Sequence, residues 1–217
     1  MLRVKICCIS SHEEASTAIK YGASALGFVS SMPSGPGVIS ESLIAQIVSR
    51  VPPPIGTFLL TSRTDVQGII AQQRKCGVNT IQICDRISTD HYRILRKNLP
   101  GVSLIQVIHV VGEESIKEAK ESANYVDALL LDSGNQALEI KELGGTGRTH
   151  DWNLSREIVT LVDIPVFLAG GLKPDNVAMA INAVKPFGVD VCSGVRSNNE
   201  LDKNKLHEFI TNVNNTV

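Results

Sequence analysis

Two turns near the end of the chain carry the strongest chemical signal. An apolar run over residues 164–169 stops at Gly170 and Gly171, and Lys173, Pro174, Asp175 and Asn176 then open a segment with helical spacing. A second apolar run, 187–192, stops at Ser193 and Gly194. Glycine lets backbone N–H groups come within hydrogen-bonding distance of an oxyanion, and a helix N-terminus behind the turn adds a favourable dipole. Two such turns in succession, each after a buried strand, predict a phosphate cradle. One Gly-Gly alone would mean no more than a tight strand-to-helix connection.

Other reactive side chains also fall where apolar runs stop. They are Cys7 and Cys8, Ser30 and Ser31, then Gln82, Cys84 and Asp85, then His109, Asp132, and finally Asp190, Cys192 and Ser193. A thiol facing a carboxylic acid is a proton-transfer pair, in which the thiolate removes a proton and an acid of raised pKa supplies one. Beside a bound phosphate, that chemistry is proton shuffling on a sugar phosphate. It points to an isomerase rather than a hydrolase or an oxidoreductase.

Plainer readings stand beside these. Cysteine is among the most buried residue types, so Cys7 or Cys8 taken alone reads as core. Asp132 ends an almost wholly apolar run and must be solvated or paired. Asp190 lies inside an apolar strand, where an ion pair with Lys5 is the structural alternative. His109 and His150 read as loop or rim residues.

The elements that must position these groups repeat along the chain. Short β-branched runs at 3–9, 23–30, 55–60, 79–84, 102–111, 126–132, 164–169 and 187–192 alternate with helical segments. Ser11 and Glu14 have capping-box spacing with Gly22 as the C-terminal stop, and Pro52, Pro53 and Pro54 end the second helix. Apolar strands alternating with helices imply a parallel sheet covered on both sides. Eight such units in 217 residues fit one (β/α)₈ TIM-barrel domain spanning 1–217, whose active site lies at the C-terminal strand ends. A doubly wound sheet would leave units unassigned.

Composition narrows the function classes. Hydrophobic residues make up 43% and charged residues 20%, with a formal net charge of −1. That balance gives nucleic acid or an anionic membrane no electrostatic footing. No apolar run approaches the ~20 residues of a membrane span, and the start of the chain is too strand-like for a signal peptide, so the expected location is cytoplasmic. The five cysteines are odd in number and lack CxxC or zinc spacing, so they read as reduced thiols with no metal. No GxGxxG follows an early strand, so no dinucleotide cofactor is expected.

Seven segments together resemble the phosphoribosylanthranilate isomerase family. They are VKICCIS (4–10), GASALGFV (22–29), TIQIC (80–84), ALLLDS (128–133), GGTGRTHDW (144–152), LAGGLKPDNVAMAI (168–181) and VDVCSGV (189–195). The resemblance implies a single-domain TIM barrel of tryptophan biosynthesis that works without a cofactor, as a monomer or weak homodimer. Its reaction is the Amadori rearrangement of N-(5-phosphoribosyl)anthranilate. Carried over by motif, Cys7 is the general base and Asp132 the general acid. Gly170, Gly171, Ser193 and Gly194 fall on the phosphate loops, and Asp190 on the strand-eight acid.

Four departures from the family pattern cluster at the barrel mouth. The family has glycine after the catalytic cysteine, where this chain has Cys8. It has an arginine for the anthranilate carboxylate in the loop after strand two, where Gly37 stands here. Its His-Gly after strand four is Cys84 and Asp85, and the glutamate of its Gly-Val-Glu is Arg196. The sequence reading is an isomerase of phosphoribosylanthranilate, with a relative that acts on, or only binds, another phosphorylated sugar as the alternative. Activity on phosphoribosylanthranilate is expected to be low unless Arg196 or Arg148 compensates from the rim.

Overall fold

The structure is a computed structural model that describes residues 2–134, 138, 140–143 and 147–216. Eight parallel strands close into a barrel in sequence order, as the alternating pattern predicts. They are β1 (Arg3–Ile6), β2 (Ala25–Val29), β3 (Gly56–Thr61), β4 (Thr80–Ile83), β5 (Ser103–His109), β6 (Ala128–Asp132), β7 (Val166–Leu168) and β8 (Gly188–Val191). Each is followed by a helix on the outside: α1 (His12–Tyr21), α2 (Glu41–Val48), α3 (Val66–Cys76), α4 (Thr89–Asn98), α5 (Glu114–Ser122), α6 (Trp152–Leu161), α7 (Pro174–Val184) and α8 (Lys203–Asn214).

Side chains alternate across each strand, so one strand feeds two cores. Leu59 joins the layer between strands and helices, while its neighbours Phe58 and Leu60 join the layer inside the barrel. The inner layer is small, and Phe58 and Phe167 meet edge to face across it. Closure pairs β8 with β1 in a register that sets Lys5 opposite Asp190. The β5–β6 register sets His109 opposite Asp132. The register thus fixes which strand-end groups are neighbours at the mouth.

The observed strands are mostly shorter than the apolar runs, because each run continues past the ladder into its loop. Helix α2 ends at Val48, before the three prolines. Half of the expected capping box on α1 forms: the Ser11 side chain accepts from Glu14 N at 3.1 Å. The Glu14 carboxylate is diverted, accepting from Ser10 N at 2.9 Å and from Arg196. A two-stranded hairpin, β9 (Arg196–Ser197) and β10 (Glu200–Leu201), lies between β8 and α8 and was not among the sequence expectations. Its turn uses Asn198 and Asn199, both at positive φ (53° and 66°), as a tight primed turn requires.

Candidate active site

The C-terminal strand ends open on a cavity of about 660 Å³. Cys7, Asp132, Gly170, Gly171, Asp190 and Ser193 all line it. Gly194 lies behind that lining, against the loop after β7. Residues remote in sequence, and singled out from where apolar runs stop, are therefore brought to one place.

Cys7 sits just past β1, buried beside Lys5 and below β2. A β-carbon on Gly27 would come within 2.8 Å of Cys7 Sγ and 3.1 Å of Lys5 Nζ, so β2 must be bare there. The ammonium of Lys5 lies 2.9 Å from Asp190 Oδ2 and 5.3 Å from the centre of the Phe58 ring. Burial alone would strip Lys5 of its proton, but Asp190 and the Cys7 and Cys8 sulfurs outweigh burial and hold it charged. The neighbouring Cys8 is the main influence on Cys7 and lowers its pKa. Burial opposes this, and the Lys5 charge lowers it further. Hydrogen bonding to Cys192 and Cys7 raises Cys8, which therefore keeps its proton. One thiol is thus lowered beside one that is raised.

Asp132 ends β6 across the mouth from β2. Its Oδ1 accepts from Ser133 N at 2.7 Å, which fixes the carboxyl at the cavity wall. His150 lies close by, and its Nε2 contacts Ser155 Oγ at 2.7 Å; burial pushes its pKa down. His109 departs from the expected rim position: it is buried, with Nε2 3.0 Å from the Cys84 carbonyl oxygen. Two buried acceptors lining the cavity, Asp190 Oδ1 and Gln82 Oε1, have no hydrogen-bond donor among the described residues.

The glycine turns are held close by the backbone itself. Gly170 and Gly171 adopt left-handed conformations, with φ of 80° and 62°. A β-carbon on Gly171 would come within 2.6 Å of the Arg148 carbonyl carbon, and one on Gly194 would overlap the Leu172 carbonyl oxygen. Asn176, near the start of α7, accepts from Lys173 N at 2.9 Å and donates to Gly171 O at 3.0 Å. The N–H groups of Gly171, Ser193 and Gly194 make no hydrogen bond to another described residue. They remain available to an anion.

Two of the four departures, Arg196 and the Cys84–Asp85 pair, are tied into the fold. Arg196 does not reach the mouth: both its terminal nitrogens pair with Glu14 at 2.8 and 2.9 Å, and the side chain is only 8% exposed. It also donates to the carbonyls of Cys8 and Asn199. Asp85 is paired with Lys141 at 2.6 Å, and Arg148 with Glu142. Cys84 is fully buried, and burial pushes its thiol up. Gly144 to Thr146 of the GGTGRTHDW segment lie outside the described residues. No group of three or more His, Cys, Asp or Glu among the described residues is placed to hold a metal. All five cysteines are free thiols, and no described helix is long and apolar enough to cross a membrane.

The family model for N-(5'-phosphoribosyl)anthranilate isomerase matches residues 4–212. The chain belongs to the phosphoribosylanthranilate isomerase family. The N-(5'-phosphoribosyl)anthranilate isomerase 2 of Methanosarcina mazei is 36% identical over 99% of this chain and 95% of its own. That of Methanocella arvoryzae is also 36% identical, over 98% of each chain. The crystal structure of the Thermotoga maritima enzyme superposes with a TM-score of 0.85 at 28% identity, covering 99% of this chain and all of that one. Another isomerase of the family, solved with reduced 1-(o-carboxyphenylamino)-1-deoxyribulose 5-phosphate, gives a TM-score of 0.83 at 27% identity and similar coverage. The chain is thus an isomerase of a family of tryptophan biosynthesis. The barrel and the reaction class both agree with the sequence expectation.

The site holds two features beyond the sequence candidates. Lys5 entered only as a partner for Asp190, yet its charge also bears on Cys7. Gly27 carried no signal at all, because a glycine inside a strand reads as weak pairing until its neighbours are known.

Proposed function

We propose that this isomerase performs the Amadori rearrangement on an N-substituted 5-phosphoribosylamine, of which N-(5-phosphoribosyl)anthranilate is the form named for its relatives. Cys7 acts as general base and Asp132 as general acid. The observation that carries this reading is the placement of Cys7 and Asp132 on one cavity wall-to-wall with the glycine turns.

Free N–H groups at Gly171, Ser193 and Gly194 would hold the phosphate, and so place the sugar over Cys7. Asp132 gives its proton to the furanose ring oxygen, which breaks the C1′–O bond and leaves an iminium between C1′ and nitrogen. The Cys7 thiolate then takes the C2′ proton, and the electron pair neutralises the iminium to give an enolamine. Tautomerisation of the enolamine places the carbonyl at C2′. Asp190 Oδ1 and Gln82 Oε1 are suited to accept from sugar hydroxyls, which they would otherwise face unpaired. Lys5 keeps the thiolate favourable without touching the sugar.

Kinetics of Cys7→Ala and Asp132→Asn test this directly. Each should lose ~10²–10⁴ in kcat while the circular dichroism spectrum is unchanged. Either variant turning over phosphoribosylanthranilate within a factor of about three of wild type would remove that residue from the mechanism.

A further inference from the structure

The Lys5–Asp190 pair is one rung of the closing seam, and the next inward rung above it carries two thiols. Across that seam Lys5 pairs with Asp190 and Ile6 with Val191. Cys7 N donates to Val191 O at 2.8 Å, so the ladder runs on and sets Cys7 beside Cys192. Residues two apart on a strand face the same way. Cys7 and Cys192 therefore face inward with Lys5 and Asp190, and both line the cavity. Both are free thiols, and Cys192 is only half-buried. The reaction proposed above uses Cys7 and leaves Cys192 idle.

The spacing of this rung suits a covalent bond. Neighbouring strands stand about 4.7–4.9 Å apart, and disulfides join α-carbons roughly 4.4–6.8 Å apart. Cys8 is the competing partner, because its thiol interacts with both Cys7 and Cys192. A Cys7–Cys8 bond falls short of the span, since successive α-carbons across a trans peptide are about 3.8 Å apart. Cys8 and then the Lys5 charge lower the Cys7 thiol, which makes Cys7 the sulfur that reacts first.

We propose that Cys7 and Cys192 form a reversible redox site, where a hydroperoxide drives a disulfide across the seam and silences the isomerase. The loss of activity rests on Cys7 being the base proposed above. The Cys7 thiolate attacks hydrogen peroxide, a sulfur–oxygen bond forms as the O–O bond breaks, and hydroxide leaves. Cys7 is thereby oxidised by two electrons to the sulfenic acid, and the peroxide is reduced. The Cys192 sulfur then attacks the Cys7 sulfur and breaks the sulfur–oxygen bond. Hydroxide leaves and takes the Cys192 proton as water. A sulfenic acid without such a partner goes on to the sulfinic and sulfonic acids, which thiols do not reverse. A dithiol restores both cysteines by two exchanges and is itself oxidised to its disulfide.

Mass spectrometry of the non-reduced protein, beside kinetics on phosphoribosylanthranilate, tests the proposal. After hydrogen peroxide, wild type should lose two hydrogens and yield a peptide pair linked from Cys7 to Cys192. Removing the base costs ~10²–10⁴ in rate, so activity should fall in step with the linked fraction and return with dithiothreitol. Cys192→Ser should also lose activity to peroxide, but dithiothreitol should restore roughly fivefold less of its own starting rate. Its Cys7 should then be found as sulfinic or sulfonic acid. Oxidised wild type without the Cys7–Cys192 link, even with Cys8 linked instead, overturns the inference and leaves Cys7 as the base. A link formed with activity unchanged overturns both the switch and the role of Cys7. The wild-type map decides even where the variant does not fold.

Discussion

Nζ of Lys5 lies 2.9 Å from Oδ2 of Asp190, and the lysine side chain has no exposed surface. The pair spans the closing seam of the barrel, where β1 meets β8. Burial holds Asp190 above the ordinary carboxylate range although Lys5 opposes it, and the same contact keeps Lys5 protonated. Removing one partner from a buried pair leaves an uncompensated charge, at a cost of roughly 3–5 kcal/mol. Asp190→Asn should show a loss of that size in urea denaturation. Lys5→Met/Asp190→Leu should lose less than either single change. An Asp190→Asn protein within about 1 kcal/mol of wild type would show that the seam does not need the charge.

The Cys7 thiol is lowered first by the neighbouring Cys8, with the Lys5 charge adding to it. If the thiolate is the base, kcat/KM rises with pH as Cys7 ionises. Cys8→Ala removes that neighbour, so the acid limb of the profile should move to higher pH while alkaline activity is retained. A purely structural Cys8 would lower activity equally at every pH. Profiles of wild type and variant that coincide would remove Cys8 from the control of Cys7.

Gly171 and Gly194 are packed against backbone rather than side chains, and backbone cannot rotate aside. Gly194→Ala must push the turn after β8 away from Leu172, and Gly171→Ala must move the segment at Arg148. A charge-assisted hydrogen bond is worth about 1.5–3 kcal/mol. Either variant should therefore weaken competitive inhibition by inorganic phosphate roughly tenfold or more, with the barrel still folded. Inhibition constants matching wild type would place the phosphate elsewhere.

Glu14 gathers Arg196, Ser10 N and Leu201 N around one carboxylate. Burial raises its pKa, but Arg196 and the backbone donors outweigh that and leave it lowered. A folded-state pKa below the unfolded one contributes stability that is present above the unfolded value, about 4.3, and is lost as pH falls through the folded value. Urea midpoints should decline with acid below about pH 4.3. Glu14→Gln should start less stable at pH 7 and decline less steeply. Identical declines in the two proteins would mean that Glu14 does not drive acid unfolding.

What the sequence made legible was local. Cys7, Asp132, Gly170, Gly171 and Ser193 each mark the stop of an apolar run, and in a barrel every such stop faces one mouth. What it hid was set by tertiary contact. Arg196 follows β8 and so read as a mouth residue, yet the β9–β10 hairpin turns it onto Glu14. The consecutive Asn198 and Asn199 were a usable sign of that turn. The neutralisation of Asp85 by Lys141 joins two loops, and no spacing rule predicts it. Lys5 meets Asp190 only through the parallel register at the seam.

Gly37 packs onto Cys8 so closely that a β-carbon at 37 would come within 2.5 Å of Cys8 Cβ, and that contact gives the chain's history a direction. An arginine at 37 must both displace the β-carbon at 8 and relax the left-handed backbone at 37, whereas glycine at 37 tolerates either residue at 8. A lineage leaving a glycine-and-arginine ancestor would have to lose the arginine before it could gain the cysteine, and a return would run in the opposite order. The intermediate common to both routes has glycine at both positions. Relatives that differ at one of these sites should therefore show that combination, and cysteine with arginine should be missing among working enzymes.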